Sequence, residues 1–266
     1  MMPELLAPWL LPALAIVFFS AMFQGTTGFG MALLCTPLLA TLIDPRTAVE
    51  CVTVVAMATT ATIAYSYRSH WDLKRAAWLG APLLVGTPFG VLLLKILSDA
   101  QLKAGVGALL LATSGTYVAG MIFKKTTEAG TIAAAADPAH PAHISPAACI
   151  VVGGTSGLLG GATGITGPLL ANYLIRTGIS RESFKVTLNL IFTASAFWRT
   201  GCYVAMGLLH RQTLLSALLL IPVALLGTFA GMRLDKKIPA EHFIRIVHVL
   251  LLMLGTWMVV SGLRQA

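Results

Sequence analysis

The sequence is short of charge. Asp, Glu, Lys and Arg make up only 11% of its 266 residues, against about 25% in soluble domains. With 57% hydrophobic residues and a mean hydropathy of +0.84, an ordinary soluble domain is excluded. Acidic residues are scarcer still, 10 against 18 Lys and Arg, leaving a net charge of +8. In an apolar chain that excess reads as loop charge fixing orientation in a membrane. No nucleic-acid partner is expected. Cysteine is sparse: Cys35, Cys51, Cys149 and Cys202 all lie in apolar segments, without metal-ligand spacing. They read as small core residues, and no metal is expected. There is no P-loop to suggest ATP as an energy source. No cluster of His, Asp, Glu or Cys in the apolar segments suggests catalysis, so neither enzyme activity nor a cofactor is expected. Glu4, and no basic residue, precedes the first apolar stretch, so no cleavable signal peptide is expected.

What the chain does have is apolar runs cut by glycine. Trp9 to Leu42 is 34 residues, roughly 50 Å as one helix, and the hydrocarbon core is only ~30 Å thick. The run must break, and Gln24-Gly25-Thr26-Thr27-Gly28-Phe29-Gly30 marks where. A second such stretch, Gly160 to Gly167, divides the run from Cys149 to Ile175. Non-helical backbone at membrane depth needs a protein or water neighbour. Paired breaks in two halves point to a transporter binding site. Apolar stretches predict helices at 9–24, 30–43, 46–67, 74–96 and 101–123, and again at 146–160, 167–178, 183–206, 212–232 and 241–263. Residues 124–145, rich in Ala, Thr and Pro, read as a linker between a first membrane repeat, 1–123, and a second, 146–266.

The halves match. Thr27-Gly28 aligns with Thr163-Gly164 at an offset of 136, and Gly86-Thr87 with Gly227-Thr228 at 141. The Gly86/Gly90 and Gly227/Gly231 pairs have the spacing of close helix seams. If each broken segment starts and ends on one side, twelve Lys and Arg share one face. Arg46, Lys95, Lys103, Arg211 and Arg264 take the other. If each is a single crossing, the asymmetry nearly vanishes. The positive-inside rule thus favours the paired arrangement, with a cytoplasmic linker and both termini outside. The expected fold is an all-α polytopic membrane protein. Its two homologous halves form an inverted repeat, each with a Gly-broken helix pair plus three transmembrane helices.

With this duplicated pattern, and with Gly25 to Gly30 leading to Pro37-Leu38-Leu39 and Gly160 to Gly167 leading to Pro168-Leu169-Leu170, the chain resembles the TauE/SafE family of sulfite exporters and toluene-sulfonate uptake permeases. The resemblance covers nearly everything except the linker. It implies a carrier for sulfite, sulfonates or related small anions in the bacterial inner (plasma) membrane. Members typically carry consecutive glycines, whereas Thr27, Phe29, Ala162 and Thr166 interrupt them here.

Short helices ending near mid-depth present unpaired N–H groups and a positive dipole end to an anion, and successive glycines can form a nest. Gln24, Thr26, Thr27, Gly28, Gly30, Thr163, Gly164, Thr166 and Gly167 are therefore candidate substrate-binding residues. The plainer alternative is that these glycines allow close helix crossing and the threonines cap helix ends. Arg199 stands alone in the apolar stretch Leu188 to Leu209, with Ser195 one turn before it and Asn189 on an adjacent stripe. It could hold two oxygens of a sulfonate at once, or bond helix-end carbonyls. Glu50 and His248 are the candidates for coupling to a proton. The expected function is secondary transport of a small anion by alternating access, with membrane lipid as surroundings. An anion channel is the alternative, and a membrane enzyme or assembly factor ranks below both.

Overall fold

In a computed structural model of the chain, residues 9–122, 145–175, 177, 179–235 and 240–265 are described, with side chains outside 116–122, 240–250 and 265. Ten α-helices form among the described residues, and no strand. They are α1 (Leu10–Thr27), α2 (Met31–Leu39), α3 (Pro45–Ser66), α4 (Leu73–Ile96), α5 (Asp99–Ile122), α6 (Pro146–Thr163), α7 (Gly167–Ile175), α8 (Arg181–Ala205), α9 (Arg211–Leu234) and α10 (Ala240–Gln265). The expected linker lies largely outside the described residues. Five helices, α1, α3, α4, α6 and α9, are long and apolar enough to cross a membrane. Their outer faces expose apolar side chains such as Phe19, Val85, Phe89, Leu226 and Phe229, as lipid contact requires.

The helix starts are written in local chemistry. Asp44 accepts from Thr47 N at 2.9 Å ahead of Pro45, and Asp72 accepts from Arg75 N at 3.0 Å. Ser145 and Ser180 cap α6 and α8 in the same way. Where the predicted helices end near the glycines, the structure differs. The first runs to Thr27 rather than 24, and the sixth to Thr163 rather than 160. The breaks are three residues each, Gly28–Gly30 and Gly164–Thr166. Gly28, Gly30 and Gly164 hold φ of 92°, 100° and 78°, a region L side chains avoid.

The remaining glycines of the two motifs serve packing. The main pairings are α4 with α6, α1 with α9, α5 with α10 and α3 with α8. A Cβ at Gly90 would lie 2.1 Å from Leu158 O in α6, and one at Gly231 the same distance from Met22 O in α1. Both seams are as expected, and Gly25 and Gly161 face the same partners: their Cβ positions fall 2.4 Å from Thr228 O and Thr87 O. Two cross-contacts fix which helix ends lie together. Lys95 Nζ donates to Met206 O at 3.0 Å, and Arg46 Nη2 to Leu97 O at 2.9 Å. Trp9, ahead of α1, and Asp44, behind α2, line one cavity of about 420 Å³.

Candidate functional site

Both breaks border one cavity of about 40 Å³. The start of α2, Gly30 to Leu33, and the second break with the start of α7, Gly164 to Pro168, both line it. Each is a nine-residue helix whose first-turn N–H groups have no intrahelical partner. Gly30, the N-cap of α2, offers no side-chain cap. Gln24, Ala56 and Thr60 close the cavity from α1 and α3, and Phe192, Ala196 and Arg199 from α8.

Arg199 supplies the charge. It is 4% exposed. Its Nη1 donates to Gly160 O, a terminal carbonyl of α6, at 2.6 Å, while Nε has no hydrogen-bond partner. No carboxylate pairs with it among the described residues. Gly160 makes room for it: a Cβ there would fall 3.4 Å from Nη1 and 1.9 Å from Thr166 Cγ2. A buried cation held by one carbonyl keeps donor capacity for an anion.

Six of the expected substrate residues line this cavity: Gln24, Gly30, Gly164, Thr166, Gly167 and Arg199. The other six stand behind it. Thr26 Oγ1 lies 2.9 Å from Met22 O and 3.3 Å from Gly231 O, and Thr27 Oγ1 2.9 Å from Phe23 O and 2.7 Å from Phe29 O. Thr163 Oγ1 donates to Leu159 O at 2.8 Å. These are carbonyl-bonding hydroxyls of the kind helices absorb. Gly28 is covered by Lys185, whose Cγ would lie 2.6 Å from a Cβ there. Ser195 Oγ is buried without a partner and outside the cavity wall.

Asn189 braces the break. Its Nδ2 donates to Gly28 O at 2.6 Å and to Lys185 O at 2.8 Å. Its Oδ1 accepts from Gln24 Nε2 at 3.1 Å, and Gln24 Oε1 accepts from Thr59 Oγ1 at 3.3 Å. Gln24 is thereby turned to a fixed face of the cavity. Thr60 takes the Thr193 hydroxyl at 3.0 Å. Thr60 is not among the residues expected from the sequence, although the Thr59-Thr60 pair inside an apolar helix is a visible signal. Lys185, one of the twelve basic residues that the sequence places together on one face, is buried to 2% exposure. Glu50, also 2% exposed, lies in α3 away from the cavity wall. The side chain of His248 lies outside the described residues. Among the described residues, no group of His, Cys, Asp and Glu is arranged to hold a metal ion.

Five helices long and apolar enough to cross a membrane, with a cation-bearing cavity lined from α1, α2, α3, α7 and α8, define a multi-pass helical membrane protein. The chain matches the sulfite exporter TauE/SafE family over residues 13–258 and belongs to it, a family of membrane transport proteins. It is similar to the probable sulfite/organosulfonate exporter TauE of Cupriavidus necator, at 28% identity over 258 residues, 96% of this chain and 95% of that one. No solved structure matches it.

Proposed function

We propose that the protein is a secondary transporter that moves a small anion across the bacterial inner (plasma) membrane by alternating access. The anion is sulfite, a sulfonate or a related organic acid. The observation that carries this reading is Arg199, a buried guanidinium with an unpartnered Nε on the wall of a cavity shared by both breaks. The helix starts of α2 and α7 add N–H donors and positive dipole ends to the same cavity. At about 40 Å³ the cavity has room for roughly three waters, which suits a compact oxyanion better than a bulky one. Gln24 and Thr166 add neutral hydrogen-bonding groups.

In this reading the two membrane repeats, 1–123 and 146–266, thread the bilayer oppositely and join through a cytoplasmic linker. Two contacts support the paired arrangement. Trp9 and Asp44 line a common cavity, which suits a segment that enters and leaves at one face. The Lys95–Met206 bond joins ends that single crossings would put on opposite faces. Glu50, buried in α3, is the candidate proton-coupling group, with His248 the second.

The test is sulfite flux into proteoliposomes, with sulfite-dependent thermal stabilisation read in parallel. Arg199→Ala and Arg199→Lys are expected to lower flux by about tenfold or more and to remove the stabilisation, as loss of a charge-assisted contact of ~1.5–3 kcal/mol requires. Unchanged flux and stabilisation in both variants overturn the site. Single-channel currents in place of saturable flux would make the protein a channel.

A further inference from the structure

One corner of the molecule carries a buried ion pair where its repeat counterpart carries none among the described residues. Lys185 Nζ donates to Thr26 O, a terminal carbonyl of α1, at 2.7 Å and pairs with Asp235 at the end of α9. Asp235 also takes Arg181 Nη2 at 2.5 Å, and Tyr67 lies 5.9 Å beneath the ammonium. Three helix ends and the first break are drawn together: α8 through Arg181 and Lys185, α9 through Asp235, α1 through Thr26. A carboxylate at a helix C-terminus opposes the dipole, so the two cations are needed to hold Asp235 there.

By the offsets of 136 and 141, Lys185 corresponds to Val49, Asp235 to Leu94 and Tyr67 to Tyr203. Val49, Leu94 and Tyr203 pack together in one apolar cluster. The correspondence holds in space: a Cβ at Gly28 would meet Lys185, and one at Gly164 would meet Val49 Cγ1 at 3.6 Å. The fold can therefore close this corner without an ion pair. A buried ion pair is weak evidence for stability, since apolar replacement is often neutral or stabilising, and its best-attested use is as a switch or register device.

The position suits a switch. Along α8 the order inward is Arg181, whose side chain is 41% exposed, then Lys185, then the cavity residues Phe192, Ala196 and Arg199. Lys185 to Ala196 is eleven residues, roughly 16 Å at ~1.5 Å each. We propose that Lys185, Asp235 and Arg181 form a charge latch that shuts the path between the cavity and the Arg181 face. The Val49 face has no ion pair among the described residues: an apolar cluster closes it, with Lys95 and Arg46 bonding the Met206 and Leu97 carbonyls at its edge. The latch opens at little cost once water reaches it, because the separated charges are then hydrated, whereas the apolar plug has no such compensation. The two faces thus open by different physics.

This rests on the transport reading, yet its test does not need flux. The four cysteines are replaced, Ala196→Cys is introduced on the cavity wall, and a membrane-impermeant thiol reagent is applied to each face of sealed vesicles. Asp235→Asn and Lys185→Met are expected to raise labelling from the Arg181 face by about tenfold, the population shift of ~1.4 kcal/mol, and not from the other face. Sulfite-dependent thermal stabilisation should persist in both, so a failed latch and a failed Arg199 site give different results. Arg181→Gln removes only the outer arm and should raise labelling by a smaller factor, covering the case in which the buried substitutions do not fold. Labelling from the Arg181 face that stays within about twofold of the parent in every folded variant overturns the latch.

Discussion

A guanidinium with one carbonyl for company is costly inside a membrane. Arg199 was legible as a functional candidate because nothing else charged stands in its 22-residue apolar stretch. Lys185 was not legible. Four residues after Arg181 and three after Glu182, it reads as part of a solvated helix start, and only the fold turns it inward over Gly28. The hydroxyls of Thr26, Thr27 and Thr163 failed to mark the cavity for a local reason: carbonyls one turn back compete for them. Asn189 is bound to the break through Gly28 O and Gln24. Asn189→Ala leaves the Gly28 carbonyl without its donor and should destabilise the protein by about 1–3 kcal/mol, read as a lower melting temperature in detergent. A melting temperature equal to the parent's would show that water replaces the amide.

At the scale of elements, glycine has two uses here that look alike in sequence. Gly28 and Gly164 end helices with positive φ, whereas Gly25 and Gly161 continue them so that another helix can approach. Both uses place glycines a few residues apart in an apolar run, so the breaks looked wider than they are. Alanine substitution separates them. Gly90→Ala drives a methyl to 2.1 Å from Leu158 O and should cost several kcal/mol or prevent assembly of α4 on α6. Gly105→Ala, in α5 with nothing within 4 Å, should be neutral or stabilising by about 0.5–1 kcal/mol through helix propensity. Thermal melts of the two variants side by side check this, and equal losses would refute the seam. Gly28→Ala adds left-handed strain of ~1–2 kcal/mol to its clash with Lys185. It should lower both melting temperature and sulfite flux.

For the whole molecule, the distribution of basic residues predicts which face is cytoplasmic. A reporter inserted in 124–145 should be active inside the cell and one fused after Ala266 outside, as the positive-inside rule requires. The opposite pattern would reverse both faces, and a split result would remove the paired arrangement. The contacts Lys95–Met206 and Arg181–Asp235 lie at different helix ends, so each can be cross-linked after paired cysteine substitution to check which ends share a face.

By itself, the amino-acid order determined that the chain belongs in a membrane and that two of its apolar runs are interrupted by glycine. Those properties follow from hydropathy, length and backbone freedom, which are local and additive along the chain. Tertiary structure alone decided which polar groups are spent on neighbouring carbonyls and which remain free at the cavity. It also decided that Lys185 is buried against Asp235, while Val49 and Leu94 pack in an apolar cluster. Hydrogen bonds and ion pairs depend on distances between residues more than a hundred positions apart, such as Lys185 and Thr26, and no window of sequence contains them.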